Sequence, residues 1–261
     1  MGSTYSGLDI TGKVCLIAGG TTGLGKAMAL NLARAGARVV AGSSSENKVD
    51  SVRRELGEGH DALRVDVTDE NSVAAAMQHT VSRFGRLDAV INAAGVIARG
   101  PSIDFSVAEF ERIVRVNLTG SFIVARAAAR VMQTQKPDAR GQRGSIVLIA
   151  SLNSYISLSQ VLAYASSKSG VLGLIRGLAN EWAELGIRVN GIAPGVFPTD
   201  LNRPLIEGTP RGEWLKRHTP AGRFGDAEEL VGAAIYLISP AASFTTGETM
   251  IVDGGFLARG V

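Results

Sequence analysis

Cysteine is nearly absent from this sequence, because Cys15 is the single thiol among 261 residues. No disulfide can form within the chain, and a reducing compartment such as the cytoplasm fits this composition best. Long apolar runs are also missing. The chain shows neither the roughly 20 apolar residues that a transmembrane helix needs nor the shorter apolar stretch of a signal peptide. We therefore expect a cytoplasmic protein with no membrane partner.

A strong charge of either sign is missing as well. The formal net charge is +3, the isoelectric point is near 9.2, and the positive residues are scattered without a basic run. This mild balance supplies no basic stripe for nucleic acid, and we predict neither a nucleic-acid partner nor a metal site. With 45% hydrophobic and 20% charged residues, the composition is that of a soluble globular protein.

Glycine and short apolar runs are what the chain has in quantity. Runs rich in valine, isoleucine or leucine predict strands buried on both faces, at 13–18, 37–42, 62–67, 87–92, 145–150, 187–192 and 249–254. Helical spacing of apolar residues lies between them, at 24–35, 73–84, 110–132, 164–185 and 227–238. The alternation predicts an α/β fold, a Rossmann-type, doubly wound, parallel seven-stranded sheet with helices on both faces. We expect one domain over residues 1–261, with a lid segment at about 198–224.

The first predicted strand runs into the glycine-rich stretch "AGGTTGLG" at 18–25. Ligands of a doubly wound sheet bind beyond the carboxyl ends of its strands. Gly19, Gly23 and Gly25 permit a tight turn into a helix whose N–H groups and dipole favour a pyrophosphate. The spacing differs from the G-x-G-x-x-G fingerprint, and such turns also arise for packing, so the motif needs support from other strand ends.

Small or polar residues follow the later strands at the same edge. Asp66 closes the third strand, where its carboxylate suits an adenine amino group. The stretch "NAAG" at 92–95 follows the fourth strand, Ser151 the fifth and "PGVFPT" at 194–199 the sixth. Each fragment alone reads equally well as a turn. Their occurrence at successive strand ends predicts a dinucleotide site along this edge.

Over essentially its full length the chain resembles the short-chain dehydrogenase/reductase family, in its single-domain branch. The resemblance is carried by "GGTTGLG", "DV" at 66–67, "NAAG", Asn117 in "VNLTG", Ser151, "YASSK" at 164–168, "RVNGIAPG" at 188–195, Thr199 and "VDGG" at 252–255. Two positions depart from the family pattern. Ala18 stands where threonine is usual, and Ala93 where a second asparagine is usual. Both changes concern structural hydrogen bonds rather than the chemistry.

The resemblance implies roles for four residues. Tyr164 would give a proton to a carbonyl or take one from an alcohol, and Ser151 would hold the substrate oxygen. Lys168 would lower the tyrosine pKa and bind the nicotinamide ribose, and Asn117 would carry a water-linked proton relay. Taken alone, Asn117 reads as readily as a helix asparagine bonded to the backbone.

The spacing of Tyr164 and Lys168 gives a physical reason for this pairing, since residues four apart share a helix face. Tyrosine, with a pKa of about 10, is a poor base at neutral pH, and a shift of about three units requires roughly 4 kcal/mol. An ammonium about 5 Å away, at an effective dielectric constant of about 20, supplies roughly 3 kcal/mol. We expect Lys168 to lower the tyrosine pKa, and the positive nicotinamide ring of an oxidised cofactor to supply the rest.

The resemblance also implies a nicotinamide dinucleotide cofactor. Its contacts are expected at Gly19, Thr21, Thr22, Gly23, Leu24, Gly25, Ser43, Ser44, Asp66, Val67, Asn92, Ala93, Ala94, Gly95, Tyr164, Lys168, Pro194, Gly195, Phe197 and Thr199. Ser43 stands where NAD-selective members carry an acid for the ribose 2′-hydroxyl, so a 2′-phosphate is not repelled. The arginine frequent in NADP-selective members is absent, because Ser44 takes its place. The balance favours NADP, with NAD possible.

For the substrate, "LANEWA" at 178–183 and the stretches at 198–208, 214–237 and 252–260 resemble the branch of gluconate 5-dehydrogenases and 2-deoxygluconate 3-dehydrogenases. This implies interconversion of a secondary alcohol and a ketone on a gluconate-like sugar acid, contacted by Ser151, Tyr164, Arg99 and Arg203. Arg99 is the preferred carboxylate anchor, because an arginine fork binds carboxylates bidentately. Both arginines also read as solvated surface residues. Lid residues such as Trp214 would either close over substrate or merely pack the lid.

Two other functions stay open at this point. One is a reductase of fatty-acyl, steroid or aromatic ketones, and the other is a dinucleotide-binding sensor without chemistry. Small residues on the helix that follows Ser151 favour close contact between subunits or simple packing on the sheet, at Ala163, Ser167, Gly170, Gly173 and Gly177. With "VDGG" and "FLA" at 256–258, which resemble family interface segments, they predict a homotetramer, or failing that a dimer.

Overall fold

A single parallel sheet of seven strands organises the chain, in the order β3-β2-β1-β4-β5-β6-β7. The computed structural model describes residues 5–200 and 202–259. The strands are β1 Val14–Ala18, β2 Arg38–Ser43, β3 Asp61–Arg64, β4 Ala89–Asn92, β5 Gly144–Ile149, β6 Ile187–Pro194 and β7 Thr249–Val252. The order reverses between β1 and β4, so the prediction of a doubly wound parallel sheet is confirmed.

Helices cover both faces of the sheet. The α-helices are α1 Gly23–Arg34, α2 Glu46–Leu56, α3 Glu70–Phe84, α4 Val107–Val114, α5 Gly120–Met132, α6 Leu162–Trp182, α7 Arg203–Ile206, α8 Pro210–His218 and α9 Val231–Ile238. Short 3₁₀ turns occupy Ser6–Leu8, Leu152–Ser154, Ala227–Leu230 and Pro240–Ala242. No helix in the described ranges is long and apolar enough to cross a bilayer.

The core consists of two apolar layers, one on each side of the sheet. One layer packs α3, α5 and α6 against the strands, with Val73, Val124 and Val171 fully buried. The other packs α1, α2 and α9, with Met28 and Leu237 among its buried members. Strands buried between two helical layers need apolar residues at every position, which is why the short valine- and isoleucine-rich runs located them.

Two elements differ from the sequence expectation in ways that affect the site. The third strand ends at Arg64, so Asp66 does not close it but lies two residues beyond. The helix expected over 110–132 is instead two helices, α4 and α5, joined by a π-helical turn at Arg115–Thr119. Such wide turns are rare and frequently lie at functional sites. The predicted lid holds α7 and α8, and its Leu201 lies outside the described residues.

Candidate active site

The residues singled out in the sequence meet at one edge of the sheet. Because all seven strands run parallel, their carboxyl ends lie at the same edge, and the loops after β1, β4, β5 and β6 border it. The N-termini of α1 and α6 lie at this edge as well, since each helix follows one of those loops. This is where an open α/β sheet binds its ligands.

Tyr164 and Lys168 occupy the first two turns of α6. The Lys168 ammonium nitrogen lies 5.8 Å from the centre of the Tyr164 ring, so the pair shares a helix face as its spacing predicts. Lys168 is only 4% exposed, and its Nζ donates a hydrogen bond to the Ile149 carbonyl oxygen at 2.6 Å. That bond fixes the lysine against the end of β5.

Burial controls the pKa of Tyr164 in the chain alone, and the lowering expected from Lys168 together with an oxidised nicotinamide ring stays a prediction. Burial raises the pKa of the Tyr164 phenol, and only the contact with Ser151 lowers it. Burial also lowers the pKa of Lys168 to about 8. In both residues the charged form loses its hydration on burial, which disfavours the phenolate and the ammonium alike. Tyr164 therefore keeps its proton at neutral pH.

Ser151 caps the short turn Leu152–Ser154 that follows β5. Its Oγ accepts a hydrogen bond from the Asn153 backbone N–H at 3.1 Å, while its own N–H donates to Ser154 Oγ at 3.2 Å. The Ser154 hydroxyl in turn donates to the Lys168 carbonyl oxygen at 2.8 Å. This capping box ties the serine loop to α6 and holds Ser151 beside the phenol of Tyr164.

Asn117 lies in the π-helical turn and is completely buried. Its Oδ1 accepts from the Val96 N–H at 2.8 Å, and its Nδ2 donates to the Val96 carbonyl at 2.9 Å and to Ser167 Oγ at 3.0 Å. A methyl group placed on Gly95 would stand 3.4 Å from Asn117 Oδ1 and 3.7 Å from Lys168 Nζ. The amide thus clamps the loop after β4 against α6, next to the lysine.

The glycine-rich loop connects β1 to α1 in a conformation that suits a phosphate group. Gly19 has a φ of 79°, and a Cβ there would stand 2.5 Å from the Ala94 backbone nitrogen, so only glycine fits. Thr22 caps α1 without a side-chain bond, which leaves the first N–H groups of Gly23, Leu24 and Gly25 open to an anion. Thr21 is buried beneath the loop.

The opposite end of the candidate cofactor path lies beyond β2 and β3. Ser43 is the last residue of β2, and Ser44 is exposed after it. No carboxylate is present at either position. Asp66 accepts hydrogen bonds from the Thr68 N–H at 2.9 Å and hydroxyl at 2.7 Å, which hold the pKa of its carboxyl below the ordinary value. It is followed by buried Val67.

The turn after β4 is organised by Asn92. Its Nδ2 donates to Ser121 Oγ at 2.9 Å, and its Oδ1 accepts from the Ala94 N–H at 3.3 Å. The N–H of Ala93 donates to the Ala18 carbonyl at 2.8 Å. At both departures from the family pattern, main-chain bonds therefore hold β1 and β4 together without the usual side chains.

The loop after β6 carries its expected cofactor residues in different environments. Pro194 ends the strand, and a Cβ on Gly195 would stand 2.6 Å from Asp253 Cα. The Phe197 ring is buried in the core, and its carbonyl oxygen accepts a hydrogen bond from Asn202 Nδ2 at 3.0 Å. Thr199 donates its N–H to Asn202 Oδ1 at 2.8 Å, and its methyl group lies near Gly23 in the glycine-rich loop.

Arg99 lies half-buried after β4 and has unused binding capacity. Its Nη2 lies 3.5 Å from Gln160 Oε1, and its Nε is buried with no hydrogen-bond partner among the described residues. Gln160 adopts a left-handed backbone conformation, with a φ of 68°, which is costly for a non-glycine residue. A cleft of about 450 Å³ adjoins this pair, lined by Pro101, Ser102, Ile103, Ser157, Leu158, Ser159, Gln160 and Leu162.

A second arginine, Arg211 on α8, was missed by sequence reasoning. Burial lowers the pKa of Arg211, and the positive charge of Arg99 lowers it further. Two guanidinium groups within electrostatic reach of each other, with no carboxylate paired to either in the described ranges, form a region suited to an anion. In the sequence, the one sign of Arg211 was its position within the predicted lid, and other arginines of the lid share that position.

Arg203, the other arginine expected to contact substrate, pairs with an acid of its own helix. It begins α7 and pairs with Glu207 one turn later, at 2.5 Å, with both side chains about half exposed. Trp214 stacks on His218, with ring centres 3.9 Å apart, so these lid aromatics pack on each other. Within the described residues no cluster of histidine, cysteine and carboxylate side chains is suited to a metal ion.

Comparisons with known proteins agree over almost the whole chain. A family model described as enoyl-(acyl carrier protein) reductase matches residues 18–257. A 2-dehydro-3-deoxy-D-gluconate 5-dehydrogenase from Formosa agariphila is 39% identical over 255 residues, which cover 96% of this chain and 94% of that protein. A D-threitol dehydrogenase from Mycolicibacterium smegmatis is 36% identical over 253 residues, covering 96% and 95%.

A solved structure extends the similarity to three dimensions. The crystal structure of a gluconate 5-dehydrogenase from Burkholderia cenocepacia, in complex with NADP and tartrate, has a TM-score of 0.89 with this chain. It is 38% identical and covers 97% of this chain and 99% of its own.

Proposed function

We propose that this chain, which belongs to the short-chain dehydrogenase/reductase family, interconverts a secondary alcohol and a ketone on a gluconate-like sugar acid with NADP as cofactor. The observation that carries the substrate proposal is the pair Arg99 and Arg211, which lie within electrostatic reach of each other and lack a carboxylate partner in the described ranges. Gln160, the partner of Arg99, stands only four residues before Tyr164.

The open N–H groups at the start of α1 and the acid-free end of β2 fit a dinucleotide with a 2′-phosphate. The residues that would hold it are the loop at 19–25, Ser43 and Ser44, Asp66, the turn at 92–95, and Lys168. When bound in its oxidised form, NADP accepts a hydride from the carbon that bears the hydroxyl group. The relatives that bind NADP or act on gluconates support this reading.

The chain's own residues handle the proton and the substrate oxygen. Ser151, fixed by its capping box, would donate a hydrogen bond to that oxygen. Tyr164 would then give its phenolic proton to a ketone, or take one from an alcohol. A phenol whose pKa is raised by burial is held in the protonated form, which is the form that can donate a proton to a ketone while the reduced cofactor would supply the hydride. Lys168 and Asn117 position this group from one side.

The carboxylate of the substrate would bind between Arg99 and Arg211. The buried, unpartnered Nε of Arg99 supplies a directed donor, and a carboxylate would relieve the repulsion between the two guanidinium groups. The Burkholderia relative was solved in complex with tartrate, a dicarboxylate, which supports an anionic substrate. Arg203 is replaced by Arg211 in this proposal, because Glu207 already neutralises it.

An uncharged polyol is the second candidate substrate, because D-threitol dehydrogenase is a close relative in sequence. A polyol would leave both arginines unneutralised. Steady-state rates with NADP or NADPH on gluconate, keto-gluconates, D-threitol and simple ketones separate the two readings. We expect sugar acids to be the best substrates, and Arg99→Ala to raise their KM by about 10- to 100-fold, the value of a charged hydrogen bond, while D-threitol turnover stays unchanged.

The substrate proposal is wrong if uncharged compounds are turned over far better than every sugar acid, or if Arg99→Ala leaves sugar-acid KM and kcat untouched. Arg203→Ala is the matched control, since it removes the same charge from the neighbouring helix.

We also propose a homotetramer that works in the cytoplasm, with the whole chain forming one domain. Edge strand β7 supports the assembly, because its apolar Ile251 is 44% exposed, whereas strands β1, β4 and β6 are buried at every position. Gly173 and Gly177 on the outer side of α6 face open space, whereas Ala163 and Ser167 are buried within the subunit. A stable monomer in sedimentation at micromolar concentration would exclude this proposal.

A further inference from the structure

We propose that Arg64, the last residue of β3, binds the ribose 2′-phosphate of NADP and takes the place of the arginine that is missing after β2. This inference rests on the proposed function in one respect, the choice of NADP. It assigns a role in cofactor selection to a residue at the end of β3.

The pairing of β2 with β3 brings Arg64 next to the expected phosphate position. In this parallel pair Ser43 stands opposite Arg64, on strands about 4.8 Å apart. Two residues earlier Ala41 pairs with Ala62, and both are buried in the layer that contains α1 and α2. Because side chains alternate along a strand, Ser43 and Arg64 point to that same side, at the edge where α1 begins.

The charge of Arg64 is available for a ligand. The residue is exposed, and no ion pair or side-chain hydrogen bond involves it within residues 5–200 and 202–259. The nearby carboxylate of Asp61 is occupied by Arg53, Arg83 and His79. A free arginine beside a serine-lined turn is therefore not explained by the internal bonding of the fold.

The position of the guanidinium group toward the adenine end has independent support from Asp66. Hydrogen bonds from Thr68 are the main cause of the low pKa of Asp66, and the charge of Arg64 contributes to it. The guanidinium therefore lies within electrostatic reach of Asp66, the expected adenine contact. In this proposal the 2′-phosphate would lie between Asp66 and Ser43.

Other nearby cations fit the role less well. The loop at 19–25 contains none, and Lys26 in the first turn of α1 is paired with Glu55 at 2.8 Å. Lys48 in the first turn of α2 is exposed and is the competing candidate. Arg64 is favoured because its planar fork can bind a phosphate bidentately and because its Cα stands directly opposite Ser43.

The test measures nucleotide binding rather than turnover. Titration of NADPH and NADH, followed by nucleotide fluorescence, gives a Kd for each in the wild type, Arg64→Met, Arg64→Lys and Lys48→Met. We expect Arg64→Met to weaken NADPH by about 10- to 100-fold, as for loss of a charged hydrogen bond, and to leave NADH within about twofold. Arg64→Lys should retain part of the NADPH affinity as a point charge.

Arg38→Met is the matched control, because Arg38 is an exposed arginine at the opposite end of β2, about 16 Å from Ser43 along the strand. It should alter neither Kd, and thermal melts check that each variant is folded. The role of Arg64 is refuted if Arg64→Met weakens both nucleotides equally or neither, or if Lys48→Met alone removes the preference. A wild type that binds NADH more tightly than NADPH contradicts the proposed cofactor instead.

Discussion

The proposed catalytic centre and the rim of the proposed substrate site differ in how their polar groups are satisfied. In the centre, Asn117 and Lys168 are buried and hydrogen-bonded within the chain. At the rim, Arg99 has a nitrogen without a hydrogen-bond partner among the described residues, and its positive charge acts on Arg211. A buried polar group whose hydrogen bonds are complete needs no ligand, whereas no carboxylate in the described ranges neutralises the positive charges of Arg99 and Arg211. The fold itself therefore holds the proposed proton-transfer groups in place, whereas the two arginines need a bound anion to neutralise their charge.

The largest effect is expected when the proposed proton-transfer group, the Tyr164 hydroxyl, is removed. Tyr164→Phe removes one oxygen and should lower kcat by about 10³-fold, within the range for a positioned acid–base group, with little change in thermal stability. Tyr236→Phe is the control, since its hydroxyl is also hydrogen-bonded, to Thr245 Oγ1 at 2.8 Å, but far along the chain on α9. If Tyr164→Phe retains most of the activity, Tyr164 is not the proton-transfer group.

A smaller effect, on the free energy of unfolding, tests whether burial lowers the pKa of Lys168. The folded-state pKa of Lys168 is about 8, below its unfolded value of about 10.4. Below pH 8 the lysine is charged in both the folded and the unfolded state, so the full cost of desolvating its charge destabilises the folded state. Between about pH 8 and 10.4 only the unfolded state stays charged, so that cost is relieved as pH rises.

The free energy of unfolding of the wild type, relative to Lys168→Met, should therefore increase by about 2 kcal/mol between pH 7.5 and 10. Urea unfolding at several pH values measures it. Lys136→Met provides the reference for an exposed lysine in the loop before β5. A flat difference across this range would mean that Lys168 is not desolvated.

The smallest expected effect distinguishes the two lid arginines at the rim. Arg203→Ala should change sugar-acid KM by less than about twofold, because an exposed helical ion pair contributes little. Arg211→Ala should raise it by about 10-fold, as for loss of a charged hydrogen bond. Initial rates on the best sugar acid settle the order. Equal effects, or the reverse order, would return the anchor role to α7.

Much of the fold was legible in the sequence because buried parallel strands are short apolar runs, and their carboxyl ends must meet. This places Gly19, Asn92 and Ser151 at one edge without any knowledge of distances. Helix α2 was missed although Val49, Val52 and Leu56 have helical spacing and are all buried. Pro210 after the capping Thr209 would likewise have indicated the start of α8.

Other features depend on quantities that a linear sequence does not carry. The direction of the Tyr164 pKa shift follows from burial of the phenol, which the spacing of Tyr164 and Lys168 does not reveal. The opposition of Ser43 and Arg64 follows from strand register. The pairing of Arg203 with Glu207 was visible as a four-residue spacing, yet nothing in the sequence said that it would prevail over a ligand.

The left-handed backbone at Gln160 limits what evolution or a mutagenesis library can place there. Glycine adopts that conformation at no steric cost but offers no amide to Arg99. Asparagine tolerates it with a shorter reach, and β-branched residues are excluded. Residues that relieve the backbone strain at position 160 therefore lose the contact with Arg99. Substitution there would trade local stability against the proposed control of substrate choice by Arg99, without changing Tyr164 or Lys168.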